Sequence, residues 1–125
     1  MQNLNFEDGF KEFSINNDPN RIIRFNPSDF SIIERIKTAY DEIDKATKIE
    51  DDIDLKADGT PVEELGKAAE IVKGINDTIK NQIDYIFNSP VSEMVFGKQS
   101  PLSMIKGVPL WERFMNAIAP VIQKE

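Results

Sequence analysis

The chain has 125 residues and a formal charge of −7, with no cysteine and no histidine. The missing thiols exclude disulfides and thiolate metal ligands. The missing imidazoles remove the usual general base and metal ligand, and the acidic balance argues against unaided binding to a phosphate backbone.

The length predicts a single domain over residues 1–125. Residues 1–60 hold 8 Lys/Arg against 14 Asp/Glu, a net of −6, and residues 61–125 hold 7 against 8, a net of −1. The acidic excess therefore falls in the first half. The opening MQNLNFEDGF has no basic region followed by an apolar core, so it reads as no signal peptide. No run of 18 apolar residues offers a transmembrane helix. Cytoplasm is the expected location.

Residues 1–25 read as an N-terminal arm and a β-hairpin. Phe10 to Ile15 alternates apolar and polar, with Phe13 and Ile15 on one face. The cluster Asn16-Asn17-Asp18-Pro19-Asn20 is dense in turn formers, and Arg21 to Phe25 supplies a second strand. Such a hairpin is marginal alone and must lean on helices or on another chain.

Residues 26–88 read as a long helical hairpin. Asn26 is the expected cap of its first helix, Pro27 the first helical residue, and Phe25 with Phe30 a hydrophobic staple. Ile33, Ile36, Tyr40 and Ile43 give an apolar stripe over residues 27–49. Residues 50–59 form an acidic link ending in Asp-Gly. They fit neither register of a calcium loop, because Lys56 falls on a ligand position. Thr60, Pro61 and Glu63 open the second helix as a capping box with proline at the first helical position. Leu65, Val72, Ile79 and Ile86 recur every seven residues, with Ala68, Ile75 and Ile83 between them. This seam predicts a helix over 60–88 packed antiparallel on the first. On that reading Val72 and Ile79 are equally structural.

Residues 89–125 read as a cap of three short helices. Ser89-Pro90 starts one that Gly97 stops, Ser100-Pro101 starts a further short turn or helix through Lys106 that Gly107 stops, and Pro109 opens the last, with a kink or fraying expected at Pro120. The fold class is thus mainly α with a small N-terminal β-hairpin: two long antiparallel helices plus a C-terminal cluster of short ones.

The chemistry of sites is sparse. The carboxylates lie on helix faces and in one loop rather than converging as a catalytic pair, and no glycine-rich phosphate loop is present. Ser28, Ser89 and Ser100 are better explained as helix-start residues than as nucleophiles. The expectation is a protein that is not an enzyme and needs no cofactor or metal. Large, adaptable side chains concentrate near the C-terminus, and Phe96, Met104, Leu110, Trp111 and Phe114 are the candidate partner-binding residues. They serve either as core or as a groove for a partner's helix.

Two segments carry a resemblance. They are Arg24-Phe25-Asn26-Pro27-Ser28-Asp29-Phe30 after the hairpin and Pro90-Val91-Ser92-Glu93-Met94-Val95-Phe96-Gly97, which is followed after a short turn by Gly107-Val108-Pro109-Leu110-Trp111 and the last helix. Their order resembles small proteins of the tail-gene modules of long-tailed phages and prophages of Gram-positive bacteria, described as tail assembly chaperones. The resemblance implies a non-enzymatic role: binding helical segments of the tape measure protein, helping to recruit the major tail protein, and leaving as the tail tube assembles. It carries over no binding residue. Two other roles fit the residues, a structural tail or virion protein and an acidic inhibitor of a nucleic-acid-binding host enzyme acting through residues 41–58. Self-association through the hairpin edge or the helical seam is open.

Overall fold

The computed structural model describes residues 1–51 and 61–123. The described residues are mainly α-helical, with four helices and a small N-terminal antiparallel hairpin. The hairpin consists of β1 (Lys11–Ile15) and β2 (Asp18–Phe25). Its loop is only Asn16-Asn17, both at positive φ (51° and 61°). This is the pair of left-handed residues that a two-residue hairpin turn needs, and asparagine tolerates that region better than most side chains. The second strand therefore begins three residues earlier than the turn-rich composition indicates. The register steps from Ile15↔Asp18 to Ser14↔Ile22, so β2 holds extra residues there. A bulge of this kind re-aims side chains, and here it points Arg21 at the C-terminal half of the molecule.

Helix α1 (Phe30–Asp51) starts later than the sequence reading has it. Asn26 is not its cap. The Asn26 Oδ1 accepts from the Ser28 N–H (2.8 Å), closing a local turn, and Asp29 N–H donates to the Asn26 carbonyl (3.1 Å). The cap is Asp29, just before the first helical residue, and its Oδ1 accepts from Ser31 N–H at 2.9 Å. Two residues capable of the same cap lie three apart, and the second one wins. The staple fails with it, since Phe25 is buried while Phe30 is 80% exposed. The stripe is also rotated. Ile32, Ala39 and Ile43 are buried and Ile36 is partly so, whereas Ile33 and Tyr40 are exposed. Adjacent isoleucines at 32 and 33 make either stripe available at helical spacing. The small Ala39 decides between them by letting the two helices approach.

Helix α2 (Pro61–Phe87) packs along α1, with the start of one beside the end of the other: the Arg35 guanidinium donates to the Ile86 carbonyl at 2.8 Å. Ile75, Ile79, Ile83 and Ile86 are buried, while Leu65 is 70% exposed and Val72 is also exposed. The seam is therefore covered only along its second half. Two helices alone cannot enclose a seam, and the third body that closes it meets α2 only from about Asn76 onward, where the Ser100 hydroxyl donates to Asn76 Oδ1 (2.7 Å). The acidic link and Thr60, with its part in the capping box, lie outside the described residues.

Helix α2 ends in a left-handed Asn88 (φ 51°), with Ser89 N–H donating back to the Asp84 carbonyl at 3.1 Å. This is the Schellman closure that satisfies terminal carbonyls. The Asp84 carboxylate then accepts from Ser92 N–H at 2.7 Å, so one residue of α2 terminates its own helix and caps the next. That next helix, α3 (Ser92–Phe96), starts at Ser92 rather than Ser89, and Gly97 ends it at φ 59°.

No helix starts at Ser100. Residues 104–109 instead form a second small hairpin, β3 (Met104–Ile105) and β4 (Val108–Pro109), around Lys106-Gly107 at φ 52° and 82°. Of the turn or helix expected after Ser100, the structure has the turn, at residues 101–102, and it leads into this hairpin. Gly107 is the second left-handed residue of a hairpin turn rather than a helix stop. The turn places two carbonyls over the start of α4 (Leu110–Gln123), where Leu110 N–H donates to Ser103 and Trp111 N–H to Pro101. Helix α4 continues past Pro120 to Gln123. The buried residues form one connected cluster drawn from β2, α1, α2, α3 and α4.

Candidate functional site

A run of aromatic contacts ties the N-terminal hairpin to the C-terminal cap. Phe13 stacks on Phe25 (4.7 Å between centroids) and Phe25 tilts onto Phe87 (5.0 Å). Phe87 meets Phe114 edge-on at 6.1 Å, and Phe114 meets Phe96 at 6.4 Å. Offset and edge-on pairs at these separations add to the area they bury. The rings come from β1, β2, α2, α4 and α3, so the hairpin leans on the helices as its marginal size requires. Arg21 adds a polar tie, its guanidinium donating to the carbonyls of Met94 (2.8 Å) and Val95 at the end of α3. A cation at a helix C-terminus meets the negative end of the dipole and the unsatisfied carbonyls together.

Between the inner face of this hairpin and α4 lies a groove of about 770 Å³. Phe13, Ile15, Ile23 and Phe25 form one wall, Leu110, Phe114, Ala117 and Val121 the other, and Val95, Ile105 and Val108 close the end. The two walls follow from two periodicities. Alternation puts the odd-numbered strand residues on one face, and helical spacing aligns 110, 114, 117 and 121. Among the described residues lining the groove, Arg113 is the one charged side chain. Its guanidinium donates to the Ile105 carbonyl at 3.3 Å, which holds a cation in a mostly apolar trough whose other polar lining residues, Ser14, Asn16 and Asn116, are uncharged. Apolar concavities with few polar groups are the usual form of binding sites.

The five sequence candidates separate here. Leu110 and Phe114 line the groove. Phe96 and Trp111 are buried in the core, Trp111 with its ring edge-on to Tyr40 at 5.5 Å. Met104 is exposed on β3, away from the groove lining. The five thus form no single exposed patch. Phe13, Ile15, Phe25 and Val121 complete the groove. The pairing of Phe13 and Ile15 on one face was visible in the strand alternation. Their position opposite α4 was not, because it depends on contacts between residues about a hundred positions apart. The Tyr40 phenol is pushed above its ordinary pKa, first by burial and then by the nearby Glu112 carboxylate.

Among the described residues no group of three or more acidic side chains is placed to hold a metal ion. No described helix is long and apolar enough to cross a membrane. No protein-family model, curated protein or solved structure matches the chain.

Proposed function

We propose that this chain is a non-enzymatic binding module that holds an apolar segment of a partner protein in the groove between the β1–β2 hairpin and α4. More particularly, we propose that it is a tail assembly chaperone of a long-tailed phage or prophage. Its ligand is then a helical segment of the tape measure protein, bound in the host cytoplasm. One observation carries this reading. The two segments that resemble such chaperones, near opposite ends of the chain, both contribute to the same groove: Phe25 from the first, and Val95 from the second with Val108 and Leu110 from the stretch that follows it. Contributions to one concave surface from segments near the two ends of the chain are what a shared ligand would produce. An amphipathic helix laid in an apolar trough is a recurrent mode of recognition, and the Arg113 cation at the rim favours a segment that carries a carboxylate beside its apolar face.

The test is co-expression with a tape measure protein, with Ala117→Glu as the control. Ala117 is exposed and lines the groove, so a carboxylate there blocks the trough without disturbing the core. The parent chain should keep the tape measure soluble and co-purify with it, and Ala117→Glu should not. Failure of the parent to do either, or equal capture by both chains, would count against the reading.

A further inference from the structure

The residues preceding β1 have an unmet need of their own. Leu4 is 85% exposed and Phe6 79% exposed, and they stand two apart, the spacing that puts both on one face of a strand. Residues 1–10 form no strand, while the outer edge of β1 pairs with no other strand among the described residues. Between them lies Asp8-Gly9, a dipeptide suited to the tightest hairpin turn. Gly9 already sits at φ +78°, in the region the second central residue of that turn requires. A side chain there would be strained by that φ, and its Cβ would lie 2.7 Å from Asn26 Nδ2, so the Asn26 side chain would have to move. Asp8 is held by two bonds, its carbonyl accepting from Asn26 Nδ2 and its Oδ1 from Phe10 N–H, both at 3.2 Å.

We infer that residues 2–7 are a strap that folds back on Asp8-Gly9, adds a third strand to the outer edge of β1 and closes the groove from within the same chain. The register follows from the turn. With Asp8-Gly9 as a two-residue loop, Glu7 faces Phe10, Phe6 faces Lys11, Leu4 faces Phe13 and Gln2 faces Ile15. Directly opposed residues of an antiparallel pair share a face. Leu4 and Phe6 therefore join Phe13 and Ile15 on the groove side, and Asn3 and Asn5 go outward with Ser14 and Glu12. A register one residue away would turn Leu4 and Phe6 to the face that carries Glu12, Ser14 and Arg24, so burial selects the first. The change needed is local: Asp8 must enter the left-handed region that aspartate tolerates, its carbonyl must release Asn26 Nδ2, and the Phe10 N–H must pass from Asp8 Oδ1 to the Glu7 carbonyl. In the open form the groove is free and the two apolar side chains are in water. In the closed form they cover each other. As a regulator of partner binding the strap rests on the function proposed above. As a structural device it does not.

The chain has no cysteine, so paired substitutions report the register directly. Asn3→Cys with Ser14→Cys, opposed in this register, should form an intramolecular disulfide under mild oxidation. Gln2→Cys with Ser14→Cys has nearly the same tether but places the thiols on opposite faces, and should lag well behind. Equal rates for the two pairs, or crosslinks mainly between molecules, would overturn the strap. As a second readout, Leu4→Asp with Phe6→Asp should raise binding of the apolar dye anilinonaphthalene sulfonate by opening the groove. A fall in dye binding would mean that the arm's own side chains were the exposed surface, and would also overturn the strap. If the crosslink forms and the opened variant still ignores a tape measure protein, the strap stands and the partner assignment fails.

Discussion

The two ends of the α1–α2 pair carry the same seven-residue repeat and meet different surroundings. At one end Ile79, Ile83 and Ile86 are sealed beneath α3, α4 and the β1–β2 hairpin, and Ile79 has no exposed surface. At the other end Leu65 and Val72 occupy equivalent repeat positions and remain in water. A heptad pattern specifies which side of a helix is apolar. How far along the helix that side is covered is set by where a third body docks, and here the ties from Asn76 to Ser100 and from Phe87 to Phe114 set the limit.

The sharpest way to break this comparison is a matched pair. Ile79→Asp buries a carboxylate with no partner and should cost more than about 4 kcal/mol, enough to unfold the chain. Val72→Asp, one heptad away, should cost about 1 kcal/mol or less and leave a cooperative urea transition near that of the parent. Equal losses would show that the exposed end is covered in solution, as self-association through the seam would require. A smaller effect should follow from Arg21→Gln, which removes the guanidinium from the Met94 and Val95 carbonyls. Loss of charge-assisted bonds to partly buried carbonyls should cost about 1.5 to 3 kcal/mol by denaturant midpoint. Next is Asp84→Ala, which uncaps α3 and should cost about 1 kcal/mol. The smallest effect is confined to alkaline solution. Because the folded chain holds the Tyr40 proton more tightly than the unfolded chain, with its ordinary value of 10.0, this group favours folding below that pH. The contribution is lost as pH rises through 10 and onward. Tyr40→Phe should remove that part of the alkaline decline and leave the neutral-pH slope unchanged.

The helices and the first hairpin were readable because their periods of 3.6 and 2 run over many residues. What escaped has physical reasons. The phase of α1 was ambiguous between Ile32 and Ile33, and Ala39, whose smallness fixes the choice, carries no hydrophobic signal of its own. Asn26 and Asp29 offer the same capping chemistry, so the helix start was undecidable by composition. Strands β3 and β4 are two residues each, too short for alternation, and Gly107 serves a hairpin turn as readily as a helix end. The arginine ties of Arg21, Arg35 and Arg113 go to backbone carbonyls, which every residue possesses, so no partner residue marks them. The groove was half legible: Leu110 and Phe114 stood out as large side chains, but the opposing wall of Phe13 and Ile15 is separated from them by nearly the whole chain.

Trp111 is the single tryptophan of the chain, set at the start of α4 with its ring against Tyr40 of α1. The protein therefore carries an intrinsic optical reporter at the junction between its long helices and its C-terminal cap. Its emission should shift to the red when α4 lifts away and stay constant while the far tip of the helical arm frays. Far-ultraviolet ellipticity responds to both events, so the separation between the two signals during unfolding measures how independently the two ends of the molecule melt.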